Sequence, residues 1–102
     1  MHTLTIEIHL AQVRSVNSTD DSLIVDFDDG RTISIPLAWY PRLLNGTIDE
    51  RKNWRLIGNG EGIHWQDLDE DISAEGLLAG RASNESQRSL KHWLEERAAK
   101  KK

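Results

Sequence analysis

The chain has 102 residues, enough for one domain around one core. It has no cysteine, which excludes a disulfide framework, a thiolate zinc site and a cysteine nucleophile together. Its 17 acidic residues outnumber 13 Lys and Arg for a net charge of −4, which disfavours a cationic nucleic-acid binder for the chain as a whole. No apolar run approaches the roughly 18–20 residues that span a bilayer, so no membrane partner is expected. Met1–Leu10 alternates and carries Glu7, unlike a signal peptide. A cytoplasmic setting fits the cysteine-free composition.

Leu4, Ile6, Ile8 and Leu10 alternate with polar residues and predict a strand over residues 3–10. A weaker strand covers about Gln12–Val16, and the polar run Asn17–Asp21 turns the chain. Leu23, Val25 and Phe27 alternate again, Asp28-Asp29-Gly30 follows, and Ile33 and Ile35 resume. Two alternating runs around Asp-Gly predict a hairpin, with Gly30 supplying the positive φ. Pro36 ends the strand. A helix is expected over Leu37–Asn45, stopped by Gly46, and Thr47 and Glu50 have capping-box spacing for the next. Trp54–Ile57 and Ile63–Trp65 flank a Gly-rich turn and predict a second hairpin. Asp67–Asp71 is expected as an acidic loop. Ser73 caps a helix at Ala74–Ala79, and Ser83 caps a last one over about Asn84–Ala99. There Leu90, Trp93, Leu94 and Ala98 make one apolar stripe.

The fold class is therefore α+β: a mostly antiparallel sheet of five or six strands with short helices and a C-terminal amphipathic helix. Residues 1–80 form a single α+β domain and residues 81–102 a basic helical extension. The charge divides there. Residues 1–80 carry 6 basic and 14 acidic side chains, a net −8; residues 81–102 carry 7 and 3, a net +4.

Catalytic chemistry is sparse. Asp67, Asp69 and Asp71 have the spacing that opens a calcium loop, but Ile72 stands where the turn glycine belongs and Leu78 where the bidentate Glu belongs. Gly58–Gly62 lacks the Lys-Ser/Thr ending of a phosphate loop and leads into a strand. Ser73, Ser83, Ser86 and Ser89 have no nucleophile-elbow context. His64 beside Asp67–Asp71 is the one place where a hydrolase site could assemble. Trp39, Trp54 and Trp65 are expected in the core. In the tail, Arg81, Arg88, Lys91 and Arg97 surround Trp93, giving a helix suited to its own sheet, to another protein or, less well, to nucleic acid.

Ile35–Leu43, Asn53–Gly58, Gly62–Trp65, Leu68–Ser73 and Gly76–Gly80 together closely resemble the bacterial family called domain of unknown function 2442, over about residues 10–80. The resemblance implies a small bacterial α+β domain, with Ser86–Leu94 a common extension in one branch. It implies membership of toxin–antitoxin-like pairs, since many relatives are encoded beside another small protein. Some relatives carry a following helix-turn-helix domain, for which this tail is too short. It carries over no catalytic residue. The expectation is a non-enzymatic protein-binding module, antitoxin-like, with no metal or cofactor. A protein partner or a second copy would meet Asp67, Asp69, Glu70, Asp71, Arg88, Lys91 and Trp93. The alternative is a DNA-associated regulator using the basic helix.

Overall fold

The computed structural model describes residues 10–100. The expected strand over 3–10 lies outside the described residues except for Leu10, which is exposed. Six strands follow: β1 (Val13–Ser18), β2 (Ser22–Phe27), β3 (Thr32–Pro36), β4 (Trp54–Ile57), β5 (Gly62–Trp65) and β6 (Glu70–Ser73). Every pairing among them is antiparallel. The α+β class stands, with the six strands divided between two three-stranded meanders, β1-β2-β3 and β4-β5-β6.

In the first sheet Val16, Val25 and Ile33 form a row across three strands, and Leu23 faces Ile35 in the next. β1 extends through Ser18, two residues past expectation, and contains a bulge. Val13 faces Phe27 and Ser15 faces Asp26, so Arg14 is the extra residue. The bulge puts Val13 and Val16, three positions apart, on the same buried face. On the outer face Asp26 accepts hydrogen bonds from Ser15 (2.8 Å) and Thr32 (2.6 Å), which hold its carboxyl below the usual range. Gly30 turns the first hairpin at a φ of 92°.

Between the sheets the expected Leu37–Asn45 helix is two pieces: a 3-10 turn at Leu37–Trp39 and α1 (Pro41–Leu44). Tyr40 breaks them at φ −128°, ψ 84°, because the residue before a proline is driven out of the helical region. α2 (Ile48–Lys52) carries the full capping box: the Thr47 hydroxyl accepts from the Glu50 amide (3.1 Å) and the Glu50 carboxylate from the Thr47 amide (2.8 Å).

The second sheet turns inward Trp54 and Leu56, Ile63 and Trp65, then Glu70 and Ile72. Trp65 is fully buried and donates its indole N–H to the Arg51 carbonyl at 3.1 Å. Trp54 is half-buried and Trp39 is 39% exposed, so only Trp65 of the three meets the core expectation fully. The expected acidic loop is a turn followed by a strand. Asp69, at φ +48°, reverses the chain, and Glu70 and Asp71 begin β6. Leu68 is buried in the turn, packed so closely on Gly46 that a Cβ there would lie 2.9 Å from its methyls.

One core joins the sheets, from Val13, Leu23, Val25 and Phe27 on one side to Ile63, Trp65, Leu68 and Ile72 on the other. The Gly58–Gly62 turn docks on the start of β1: the Val13 amide donates to the Gly60 carbonyl at 2.8 Å. At Gly60, φ is 110° and a Cβ would stand 2.5 Å from the Val13 carbonyl oxygen, so both backbone conformation and space require glycine. α3 (Ala74–Leu78) follows β6 with Ser73 as its cap; the Ser73 hydroxyl accepts from Gly76 at 2.9 Å. The last helix, α4, is Gln87–Lys100. Its N-terminus is bonded by Ser86, which accepts from Ser89 at 3.1 Å, three residues later than expected. Ser83 bonds Glu85 in the approach to it.

Candidate interaction surface

The tail is tied to the body by a ladder of charge and aromatic contacts. Its approach segment is anchored by the Tyr40 hydroxyl, which donates to the Arg81 carbonyl at 2.7 Å, and by the Ser83 amide, which donates to the Trp39 carbonyl at 3.0 Å. The α1 residue Arg42 then forks onto Glu85: Nε lies 2.9 and 3.0 Å from the carboxylate oxygens and Nη2 at 2.5 Å. Nη1 of Arg42 reaches back to the Asp69 carbonyl at 3.1 Å. In α4, Arg97 forks onto Glu50 at 2.9 and 2.8 Å. Both guanidiniums stand over the Trp93 ring, 4.9 Å from its centroid for Arg42 and 4.7 Å for Arg97. An aromatic face attracts cations, and carboxylates fix each fork, so the five groups hold one another.

These pairs are shielded; the side chains of Arg42, Glu85, Arg97 and Glu50 are 15, 11, 16 and 22% exposed. Hydrogen bonds from Arg97 hold the Glu50 carboxyl down at about 2, and those from Arg42 lower that of Glu85. Glu50 joins local to long-range structure, capping α2 with the carboxylate that receives the tail.

Trp93 is half-buried and, of the stripe, is the residue packed against the core. Leu90 and Leu94 are half-buried and Ala98 is exposed. With Gln87, Lys91 and Glu95 these three line a shallow apolar trough on the side of α4 away from the ladder. Arg88, Lys91 and Glu95 are exposed, and none forms an ion pair among the described residues.

The expected contact residues are thus distributed, not gathered. Arg88 and Lys91 lie outward on α4, whereas Trp93 faces the body. Asp67 is exposed and accepts from the Asn53 side chain at 2.9 Å. Asp69 is 87% exposed, with Arg42 at 3.6 Å from its carboxylate. Glu70 turns inward, where burial pushes its carboxyl up; it lines a cleft of about 570 Å³ with Tyr40, Arg42, Ser73 and Glu85. Asp71 points to the opposite face and pairs with His64 Nδ1 at 2.5 Å. Strand alternation dictates the split: within β6, neighbours face opposite ways. Arg55, His64 and Asp71 form a row across the outer face of the second sheet. His64 therefore opens away from the cleft that Glu70 lines, and the acid–base grouping expected around it does not include Asp67 or Glu70.

Arg42, Glu85 and Glu50 were not expected in the site. Their contacts span 43 to 47 residues. Only the i, i+4 placement of Arg97 after Trp93 is a local signal.

The same arrangement of strands occurs elsewhere. Residues 13–83 match the family described as Protein of unknown function (DUF2442). The chain belongs to this family. A crystal structure of a protein of unknown function from Rhodospirillum rubrum superposes with a TM-score of 0.64 at 26% identity, covering 76% of this chain and 95% of that one. The solution structure of an uncharacterised protein from Chromobacterium violaceum superposes at 0.60 and 23% identity, over 84% of this chain and 75% of that one, a likeness of fold. No curated protein matches the chain. The family match ends at residue 83, so the Arg42–Glu85 and Arg97–Glu50 ladder joins a family position to a residue beyond the match at one rung and ties α4, wholly beyond it, at the other.

Among the described residues no helix is long and apolar enough to cross a membrane.

Proposed function

We propose that this chain is a small non-enzymatic protein-binding module, the antitoxin-like member of a bacterial pair, working in the cytoplasm. One observation carries the reading. The Leu90–Leu94–Ala98 edge of α4 stays open beside the charges of Arg88 and Lys91, while Trp93 on the same helix is committed to the body. An apolar strip bordered by unpaired charge is the usual form of a helix-in-groove contact. The exposed carboxylates of Asp67, Asp69 and Asp71, spread over the turn and the outer face of β6, add negative charge that would steer a basic partner.

The test is affinity purification of the tagged full chain from its native host, followed by reconstitution with the purified co-eluting protein. The reading expects a stoichiometric complex weakened by Leu94→Asp and by joint replacement of Asp67, Asp69 and Asp71 with Asn. A chain that elutes alone, with those variants leaving growth unchanged, would contradict it. A DNA-associated role instead requires a mobility shift that weakens steeply with salt, because phosphate contacts release counterions.

A further inference from the structure

We infer that the cleft between β6, α1 and the start of the tail is a binding site for a small organic cation, an alkylammonium or alkylguanidinium group, with Glu70 as its counter-ion. The inference goes beyond the partner-binding reading, because the cleft shares no lining residue with the outer trough of α4. Its volume of about 570 Å³ is that of a small-molecule pocket.

Pairing off the charges around the cleft leaves one carboxylate over. Arg42 is committed to Glu85 through Nε and Nη2, and its Nη1 donates to the Asp69 carbonyl. Asp71 turns its carboxylate to His64 on the opposite face of β6. Arg81 reaches Glu75 at 3.5 Å, with both side chains more than half exposed. Asp69 stands at the rim, 87% exposed. Glu70 remains. Strand alternation turns it to the side of the buried Ile72, where Oε1 accepts the Asp71 amide at 3.1 Å. Arg42 attracts it from a distance, and no cation touches it among the described residues. A half-buried carboxylate with no cation in contact opposes folding, and a bound cation would offset that penalty.

The walls select the kind of cation. Tyr40, Ile72 and Ala82 also line the cleft, so a charged head on Glu70 would lay a short apolar stem against them. Burial, and then the nearby Glu70 charge, push the Tyr40 hydroxyl up, so it stays a neutral group; its proton goes to the Arg81 carbonyl and its oxygen can accept an ammonium N–H. A divalent metal would require several hard ligands, and no group of three His, Cys, Asp or Glu side chains comes together among the described residues.

Titration of the labelled full chain with n-butylammonium chloride at constant ionic strength, followed in proton–nitrogen correlation spectra, tests this. Saturable shifts are expected at Tyr40, Glu70, Ile72 and Ala82, with a dissociation constant on the order of 1 mM for so small a ligand. n-Butanol, which has the stem without the charge, should bind at least tenfold more weakly. Glu70→Gln keeps the shape of the cleft and should weaken n-butylammonium binding tenfold or more, whereas Asp69→Asn at the rim should change it less than twofold. Nα-acetyl-lysine amide separates two sources of the same group: tighter binding than n-butylammonium identifies a lysine side chain offered by another protein, and equal or weaker binding a free amine. No saturable shift up to about 50 mM, binding by Glu70→Gln equal to the wild type, or equal weakening by Asp69→Asn overturns the inference.

Discussion

The sheets and the tail are held by different forces. Between the sheets lie fully buried apolar side chains, Val25, Phe27, Ile63, Trp65 and Leu68 among them, with backbone ladders satisfying the polar groups. Helix α4 has no fully buried residue. It stays on the body through the Arg97–Glu50 fork and the Trp93 indole, with the Arg42–Glu85 fork just before its first turn. The first kind of cohesion scales with area and is indifferent to charge state. The second depends on a few ionised groups and is sensitive to pH. An isolated helix of 14 residues is marginal in water, so α4 owes its helicity to that docking. The family match thus covers both sheets, and α4, beyond it, is anchored on its inner face and exposed on its outer face.

The largest effect should come from striking the apolar half. Gly60→Val forces a β-branched residue to φ 110° and drives its Cβ into the Val13 carbonyl. A loss of about 3 kcal/mol or more is expected, as a lowered urea midpoint of the whole domain.

Trp93→Ala should strike the other half alone. It removes the ring that both guanidiniums face, at a cost of about 2–3 kcal/mol to docking. The expected signature is lost helical circular dichroism and fast amide exchange over Gln87–Lys100, with protection of β2 and β5 retained. Exchange that speeds up equally in both sheets would show that tail and body are one cooperative unit.

Acid should separate the halves without mutation. The folded value for Glu50 is depressed, to about 2, below its ordinary 4.5. Its stabilising contribution is therefore complete above about pH 4.5 and is lost as pH falls toward 2. α4 exchange should rise through that window, and Glu50→Gln should show the faster exchange already at neutral pH.

The smallest effect has the opposite sign. Burial raises the Glu70 carboxyl, so its ionisation opposes folding at neutral pH. The penalty vanishes once pH falls below the unfolded value, where both states are protonated. Glu70→Gln keeps an oxygen for the Asp71 amide and should raise the Tm by roughly 2–4 °C at pH 7, with no gain below about pH 4.

Much of the fold was legible because it is local. The Asp28-Asp29-Gly30 hairpin, the Thr47–Glu50 box and the Ser73 cap are each set within a few residues. β1 is less legible because its bulge at Arg14 breaks period two, so Val13 and Val16 look like opposite faces in sequence and share one in space. β6 is illegible locally because Glu70 and Asp71 have poor strand propensity, overridden by pairing with Trp65 and His64. The helical pattern over residues 37–45 hides its break, although Pro41 disfavours a helical Tyr40. The family was readable from five ordered motifs within the matched residues. The candidate surface is half readable: the outward placement of Arg88 and Lys91 follows from helical spacing, whereas Trp93 is held by Arg42 and Arg97, whose carboxylate partners Glu85 and Glu50 lie on distant chain segments.

The central claim is that α4 offers its outer face while its inner face stays anchored. Proton–nitrogen correlation spectra of the labelled full chain, with and without the purified protein that co-elutes with it, test it most directly. The account predicts shifts on adding the partner at Arg88, Leu90, Lys91, Leu94, Glu95 and Ala98, with the Trp93 indole resonance unmoved. A moving indole, or shifts confined to the sheets, would contradict it.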